Sequence, residues 1–310
     1  MREHEKPIER ACQPRISVVI PTYQRSDLLG RALDSVYAQT YPNFEVVIAD
    51  DNLPGSESAE RTRSVLAPYQ ARGNLVYVQT AGAVGGGGAR NLAISRASGE
   101  YVAFLDDDDR YLPDKLEKQL RFMQENGLDL CYQDVKWVDS NEKLVEFRRM
   151  DYTGDFSQEG LLKAHILHSI CPTAIYMVRR DKLLQTEGFG EVSSGQDFIL
   201  MLRCIESGMK IGYMPGAFVV QYLHKGERVS TGKSKIQGEN MLYRLKHKYL
   251  HLLRPSERRY VRFRHYAVLA FASLRTRWFL RAAWYACIAG LISPIQCLKE
   301  AKRYFGSKKG

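Results

Sequence analysis

Four consecutive aspartates, Asp106 to Asp109, directly follow the apolar run YVAFL. Adjacent carboxylates repel one another, so the run costs stability unless positive charge neutralises it. Carboxylate oxygens suit hard divalent cations such as Mg²⁺ and Mn²⁺ better than they suit zinc. The run therefore indicates a cation site, although an acidic, solvated turn capping the helix that Pro113 opens would use the same residues.

A second acidic pair, Asp50 and Asp51, ends the run FEVVIAD and precedes Asn52. Such a pair can form an Asx-turn or cap a helix. A carboxylate at this place can also accept a hydrogen bond from a nucleobase. The pair is therefore a candidate nucleotide contact.

A glycine-rich segment, GAVGGGGARN, lies between the run LVYVQ and a helical pattern. Its amides and Arg90 could bind phosphate. It is not a dinucleotide fingerprint, because Arg90 stands where the third glycine is required, and it is not a P-loop, because no Lys-Ser or Lys-Thr follows.

These motifs need a scaffold, and the first hundred residues predict one. Short β-branched runs (ISVVI, FEVVIAD, LVYVQ and YVAFL) alternate with helical patterns at about residues 26–39, 56–70 and 87–97, which is typical of βαβ units and a parallel sheet. Ligands of such sheets bind beyond the carboxyl ends of the strands, where all three motifs lie. The later pattern predicts a helix after Pro113, strands near residues 130–138, 144–147 and 173–178, and a helix over about 197–207.

Two segments together carry a family resemblance. ISVVIPTYQRSDLLGRALDSVYAQTYPNFEVVIADD followed by GARNLAISRASGEYVAFLDDDD closely resembles the family 2 glycosyltransferases, over about residues 15–235. The resemblance implies an α/β protein with the GT-A nucleotide-sugar-binding fold, a Rossmann-like mixed sheet flanked by helices. It also implies transfer of a sugar from a nucleotide-diphosphate sugar, with a UDP-sugar favoured, to a saccharide or lipid-linked hydroxyl acceptor. Mn²⁺ or Mg²⁺ would be the cofactor, and bacterial cell-surface polysaccharide or glycolipid assembly the setting.

The same resemblance implies roles for single residues. Asp106 and Asp108 would form the D-x-D element that contacts ribose and metal, with Asp108 as the metal ligand, and Asp109 would extend it. The nucleotide-sugar-binding residues would be Pro21, Thr22, Tyr23, Asp50, Arg90, Asp106 and Asp107.

Two later residues complete the site that the resemblance implies. Asp197, in GQDFILMLR, opens a helix as the family's catalytic base does, although Gln196 replaces the usual acidic neighbour. The alternative is that Asp197 only caps its helix. His224, in YLHKGERVS, would reach the metal or the diphosphate, while a lone histidine is also often structural. One base without a covalent nucleophile would invert the anomeric configuration.

Two other classes of protein fit single features. A Rossmann-type oxidoreductase would use the glycine-rich segment for a dinucleotide, but the third glycine is missing. A nucleic-acid-binding protein would explain a basic tail whose aromatic side chains could stack on bases, but it leaves the aspartates unexplained. We therefore expect a transferase and no nucleic-acid partner.

Positive charge is concentrated in the C-terminal part. Residues 241–310 contain 16 Lys or Arg and 2 acidic residues, whereas the first 240 carry a net charge of −4 within a total of +10. This asymmetry favours an anionic partner, and we expect the tail to bind an anionic membrane surface. The alternative is a helical cap on the catalytic domain with a solvated basic face.

The sequence predicts three parts: an N-terminal extension (1–14), a glycosyltransferase domain (15–235) and a basic, aromatic helical region (236–310). The six scattered cysteines and the charged opening MREHEKPIER predict neither disulfides nor a secretory leader. No membrane-spanning helix is predicted, because Arg281 and Pro294 interrupt the longest apolar stretch. We expect a cytoplasmic protein, peripheral on the inner membrane face.

Overall fold

The computed structural model describes residues 13–190, 192, 194–223 and 233–298. The chain divides into two units. The first takes the described residues up to Asp151, with Pro172–Gly190 and Ser207–Leu223. The second takes Tyr152–Cys171 and the described residues of Glu191–Glu206 and of His224–Gly310. The predicted boundary near residue 235 stays a prediction.

The first unit is built on one nine-stranded sheet. Its strands are β1 (Ile16–Thr22), β2 (Phe44–Asp50), β3 (Leu75–Gln79), β4 (Tyr101–Phe104), β5 (Arg110–Tyr111), β6 (Leu130–Val138), β7 (Leu144–Arg148), β8 (Met177–Arg179) and β9 (Ile211–Tyr222). The order is β3-β2-β1-β4-β8-β6-β9-β5, and β7 pairs with β6. Strands β3, β2, β1 and β4 run parallel, as predicted, whereas β8 runs antiparallel to both of its neighbours. The sheet is therefore mixed.

The described helices alternate with these strands and then follow them. They are α1 (Ser26–Tyr37), α2 (Glu57–Gln70), α3 (Gly85–Arg96), α4 (Lys115–Asn126), α5 (Gln158–His168), α6 (Arg180–Leu183), α7 (Gln196–Glu206), α8 (Lys233–His247), α9 (Pro255–Arg275) and α10 (Phe279–Ile292), with 3-10 turns at Thr173–Ile175 and Leu250–Leu252. Helices α1–α4 and α6 belong to the first unit and the others to the second. Two predicted boundaries shift, since α1 ends at Tyr37 and α3 begins at Gly85.

The central strands are continuous apolar runs because both faces of the sheet are covered. Every residue of β2 is buried, and β1 is buried except at Pro21. Helix α1 packs one stripe inward, formed by Leu29, Ala32, Leu33 and Val36. This core fixes the carboxyl ends of β1, β2 and β4, where the chemically suggestive residues lie.

Strand β9 joins the sheet despite residues that usually break strands. Its register against β6 shifts beside Asp134, where Gly216 has φ +107°, a conformation that favours glycine. The buried Asp134 carboxylate accepts the Gly216 amide at 3.0 Å and the Tyr213 hydroxyl at 2.8 Å. The bulge therefore lets β9 continue for 12 residues to Tyr222.

The second unit has its own apolar core. Seven buried side chains form it: Ile166, Phe198, Ile199, Leu202, Leu242, Leu253 and Val261. His165 of α5 is fully buried beside it and stacks on Phe198 of α7, with ring centroids 4.1 Å apart. Gly195 comes before α7 with φ +91°, and a Cβ there would meet Leu242 at 2.7 Å, so the approach of α8 requires glycine.

Candidate functional site

The acidic turn after β4 brings three of its four aspartates together. Asp106, Asp108 and Asp109 each place a carboxylate oxygen so that the three oxygens lie within 4.8 Å of one another. The turn is closed by the Asp109 amide, which donates to the Asp106 carbonyl at 3.1 Å. Asp107 is not in this group and is buried. The four residues that look equivalent in sequence therefore fall into two environments.

Arginines from two other elements form ion pairs with carboxylates of the turn. Arg25, in the loop after β1, donates from Nη1 to Asp108 Oδ2 at 2.7 Å and lies 3.7 Å from Asp107 Oδ1. Arg90 of α3 pairs with the Asp106 carboxylate. The Arg90 predicted to meet phosphate thus lies beside the acidic turn, whereas Arg25 was not foreseen, although it directly follows PTYQ at the end of β1.

Two carboxyl groups of the turn lie where their charged forms are disfavoured. Burial, and then the neighbouring Asp108, raise the pKa of Asp107 to about 7. Burial, with Asp106 and Asp108 nearby, also raises the pKa of Asp109 well above its usual value. A hard divalent cation binds carboxylate oxygens, and its charge favours the ionised form of neighbouring carboxyl groups. The donor set of Asp106, Asp108 and Asp109 therefore fits Mn²⁺ or Mg²⁺.

Strand β9 fixes the last aspartate of the turn. Gln221 donates from Nε2 to Asp109 Oδ2 at 2.7 Å, and the Tyr222 amide donates to Oδ1 at 3.1 Å. Arg31 of α1 lies 3.6 Å above the Tyr222 ring and donates to the Asp108 carbonyl at 2.5 Å. Sequence patterns did not indicate these contacts to Asp109, because β9 itself was not predicted. His224, the second predicted metal ligand, lies outside the described residues.

The end of β2 carries the residue predicted to bind the base. Asp50 is fully buried, and its carboxylate accepts hydrogen bonds from the Tyr77 hydroxyl at 2.8 Å and from the Asn52 amide at 2.9 Å. The second bond is the Asx-turn left open by the sequence. Asn52 Nδ2 donates a third hydrogen bond, to Asp50 Oδ1 at 2.7 Å. A carboxylate has about four lone-pair sites, so one remains for a ligand.

The end of β1 lies beside Asp50, because Thr22 is its partner in the parallel register. Pro21 is half-buried, Thr22 is buried and Tyr23 is 44% exposed. The next residue, Gln24, turns the chain with φ +54° and donates its amide to Asn52 Oδ1 at 2.9 Å. Asn52 therefore ties the loops after β1 and β2 together.

The glycine-rich segment is held by an aspartate of the protein. Asp51 is buried and accepts the amides of Val84 and Gly85 at 2.9 and 2.8 Å. It also accepts the Thr80 hydroxyl at 2.6 Å. Two of the amides expected to meet phosphate are thus already bonded to a carboxylate, which occupies the positive end of α3. The sequence did not separate this structural role of Asp51 from that of Asp50.

Asp197, the predicted base, lies in the second unit. It is in the first turn of α7 and half-buried. The carbonyl of the next residue, Phe198, accepts a hydrogen bond from His165 Nε2 at 2.9 Å, while His165 Nδ1 accepts the Ile170 amide at 3.1 Å. A buried neutral histidine therefore fixes the start of the helix that carries Asp197.

Family models match most of the chain. The model of Glycosyl transferase family 2 matches residues 17–184, and that of Glycosyl transferase family group 2 matches residues 101–297. The first range contains β1 to β4 with every loop of the acidic site. The match therefore includes the residues on which the site is built.

Relatives from several organisms are similar to the chain. An uncharacterised glycosyltransferase of Methanocaldococcus jannaschii is 29% identical over 68% of this chain and 71% of its own length. A putative teichuronic acid biosynthesis glycosyltransferase of Bacillus subtilis is 41% identical over 37% of this chain and 44% of its own. A GalNAc(5)-diNAcBac-PP-undecaprenol β-1,3-glucosyltransferase of Campylobacter jejuni is 26% identical over 72% of this chain and 69% of its own length. For several relatives the matched region is less than half of the relative's own length. It is 44% of the B. subtilis protein and 31% of each of three glycosyltransferases from Rickettsia.

Solved structures share the fold. The structure of S. aureus TarS residues 1–349 in complex with UDP-GlcNAc has a TM-score of 0.64 at 20% identity and covers 91% of this chain and 82% of that one. A Pyrobaculum calidifontis mannosyltransferase in complex with GDP-Man and Mn²⁺ has a TM-score of 0.59 at 18% identity, and the match covers 97% of this chain and 84% of that one. The predicted GT-A fold is confirmed. The family match over residues 17–184, which include the acidic turn, shows that the chain belongs to glycosyl transferase family 2.

Proposed function

We propose that this protein transfers a sugar from a nucleoside-diphosphate sugar to a hydroxyl acceptor, with a divalent cation and with inversion at the anomeric carbon. The observation that carries the proposal is the convergence of Asp106, Asp108 and Asp109 at the end of β4, with Asp50 at the end of β2. Ligands of parallel sheets bind at this edge. Family membership favours a transferase over the oxidoreductase alternative.

The acidic turn and the strand ends would bind the donor. Asp50 would accept a hydrogen bond from the nucleobase, next to Pro21, Thr22 and Tyr23. Arg90 would contact the diphosphate, and Asp107 would help to bind the donor. A divalent cation held by Asp108, with Asp106 and Asp109 beside it, would supply positive charge for the diphosphate that leaves. His224 stays a proposed further ligand.

Asp197 would act on the acceptor. As the acceptor oxygen attacks the anomeric carbon, its proton passes to the Asp197 carboxylate, and the bond between that carbon and the diphosphate breaks. A single displacement of this kind turns an α-linked donor into a β-linked product. The acidic first turn of α7 is compatible with this role, while helix capping alone remains the competing explanation.

Relatives guide the choice of substrates. The C. jejuni relative acts on a polyprenyl-diphosphate-linked saccharide, and an Escherichia coli relative, 33% identical over 43% of this chain, is a UDP-Glc:α-D-GlcNAc-diphosphoundecaprenol β-1,3-glucosyltransferase. We infer a UDP-sugar donor and a lipid-linked saccharide acceptor in bacterial surface polysaccharide assembly. None of the described cysteines forms a disulfide, which is compatible with the proposed cytoplasmic location.

The test is a ligand panel with and without metal. UDP-, GDP- and dTDP-sugars are added to the full chain with Mn²⁺, Mg²⁺ or EDTA, and the melting temperature is measured. A donor at 100 times its Kd should stabilise the fold by about 2.7 kcal/mol, and only in the presence of the cation. The selected donor is then incubated with a lipid-linked saccharide, and NMR should show a β-linkage. Full transfer in excess EDTA would refute the cation, and an α-linked product would refute inversion.

A further inference from the structure

Helix α10 presents an apolar stripe to solvent. Leu280 is 90% exposed, Trp284 66% and Leu291 85%. With Cys287, which is also exposed, these positions follow the spacing i, i+4, i+7 and i+11 of a single helix face. Every side chain on this line is therefore apolar or a thiol.

The opposite line of α10 is its buried side. Ala282 and Ala289 are buried and lie half a turn away from the stripe. Small side chains let α10 pack closely on α9, its main contact. In an ordinary surface helix the large apolar residues face inward. Here the two fully buried positions are alanines, while Leu280, Trp284 and Leu291 face outward, which indicates a surface that binds something apolar.

Cations surround the start of this stripe. Arg275 is the last residue of α9, Arg277 lies in the turn before α10, and Arg281 stacks on Trp278 at 4.7 Å. An open cleft there is lined by Arg277, Trp278, Phe279, Leu280 and Arg281. No acidic residue occurs between Arg258 and Leu298, all of which the structure describes. The occupant of the surface should therefore be apolar and carry negative charge at its edge.

A second copy of the chain fits these features poorly. Parallel pairing of α10 with another α10 would bring the two sets of arginines together, and antiparallel pairing would place each set beside apolar residues. Neither arrangement gives the arginines an acidic partner within α10. Insertion across a bilayer does not fit either, because no described helix has the length and apolarity to span one. A 14-residue helix is also only about 21 Å long, against a hydrocarbon core of about 30 Å.

We propose that α10 lies in the interface of an anionic lipid bilayer, with Leu280, Trp284 and Leu291 among the acyl chains and Arg277 and Arg281 at the phosphates. Helices that lie in the membrane plane combine these two kinds of contact. The sequence predicted membrane binding through basic charge. The structure adds an apolar anchor and locates it on α10. This surface goes beyond the proposed function and is independent of the acidic turn.

The test is flotation of the full chain with vesicles of phosphatidylcholine alone or with 30% phosphatidylglycerol. Leu280→Ser with Leu291→Ser should lower binding to the anionic vesicles at least about tenfold, because the anchor is lost. The matched control is Leu144→Ser with Val145→Ser, which removes two exposed apolar side chains of β7 and should leave binding unchanged. Circular dichroism should show unchanged melting for both, since all four side chains are at least half exposed.

Two further measurements separate the anchor from simple charge attraction. Arg277→Gln with Arg281→Gln should weaken binding to anionic vesicles and remove its salt dependence in part. Trp284 fluorescence should shift to the blue on vesicle addition and be quenched by brominated acyl chains. The proposal is overturned if the α10 leucine variant binds like the parent, or if sedimentation shows a parental dimer that the same variant converts to a monomer.

Discussion

Arg25 Nη1 lies 2.7 Å from Asp108 Oδ2, so a guanidinium occupies one side of the proposed cation ligand. A divalent cation has to compete with this charge. We expect Arg25→Gln to tighten the binding of Mn²⁺ without nucleotide by a few-fold, because a positive charge near the site is removed. Isothermal titration calorimetry measures the change. Arg63→Gln, which removes an exposed arginine of α2, is the control, and equal or weaker Mn²⁺ binding by Arg25→Gln would contradict the competition.

The two environments of the acidic turn predict different outcomes for neighbouring aspartates. Asp108→Asn should abolish measurable Mn²⁺ binding, because one of three converging carboxylates is neutralised. Asp107→Asn should weaken metal binding by only a few-fold, since Asp107 lies outside the group and acts on the ion through its charge alone. Electron paramagnetic resonance distinguishes free from bound Mn²⁺ and so measures the Mn²⁺ affinity of both variants. Equal losses in the two variants would show that the turn rearranges around the ion.

The carboxylate of Asp51 should hold the glycine-rich segment in place. Asp51→Ala leaves the amides of Val84 and Gly85 and the Thr80 hydroxyl without their acceptor. We expect a loss of about 2–4 kcal/mol of unfolding free energy and faster hydrogen exchange at these amides. Ser56→Ala, which removes the cap of α2, should cost only about 1 kcal/mol and leave exchange in the segment unchanged. Protected amides at Val84 and Gly85 in Asp51→Ala would refute the role.

Asp197→Asn should separate catalysis from donor binding. Asparagine keeps the size and can accept a hydrogen bond, but it cannot take the acceptor proton. Transfer should fall by about 10²–10⁴-fold with little change in donor affinity. Initial rates and calorimetry with the donor measure the two effects. A variant that transfers at the parental rate would leave only the capping role for Asp197.

The buried His165 should make stability fall in acid. Burial, with Lys246 nearby, lowers the pKa of His165 to about 3, against about 6.5 when unfolded. The folded state therefore binds fewer protons than the unfolded state between these values. The stabilisation is present above pH 6.5 and is lost as the pH falls towards 3, by up to about 1.4 kcal/mol per pH unit.

Urea unfolding from pH 7 to pH 4.5 checks this expectation. His165→Gln should show a shallower dependence of unfolding free energy on pH than the parent, whatever its absolute stability. His251→Gln, which changes an exposed histidine, should keep the parental slope. An unchanged slope in His165→Gln would assign the acid sensitivity to other groups.

The parallel half of the sheet can be predicted because its information is local. Each strand is an apolar run rich in β-branched residues. The run stops at a polar residue such as Asp50 or Asp106, because an aspartate is unfavourable inside a buried strand. The acidic turn and Asp50 could be placed at one edge on this ground alone.

The elements that complete the site depend on distant residues. Strand β9 contains Pro215 and Gly216, which argue against a strand until the carboxylate of Asp134 is seen to support the bulge. Helix α5 begins with the cap of Ser157 on the Gly160 amide but lacks a clear apolar stripe. The role of Asp51 depends on an amide 33 residues away. No local pattern reports such pairings.

The hydrogen bonds from Gln221 and Tyr222 to Asp109 also determine at what stage of protein synthesis the acidic turn can reach its final geometry. Asp109 and its partner Tyr222 are 113 positions apart. At a translation rate of about 5–20 residues per second, several seconds or more pass between the synthesis of Asp109 and that of β9. Throughout that interval the nascent chain carries four adjacent carboxylates without the amides of Gln221 and Tyr222 that later fix the last of them. The finished cluster is therefore a product of the end of synthesis, and a truncated translation product that stops before β9 would carry the acidic sequence without its geometry.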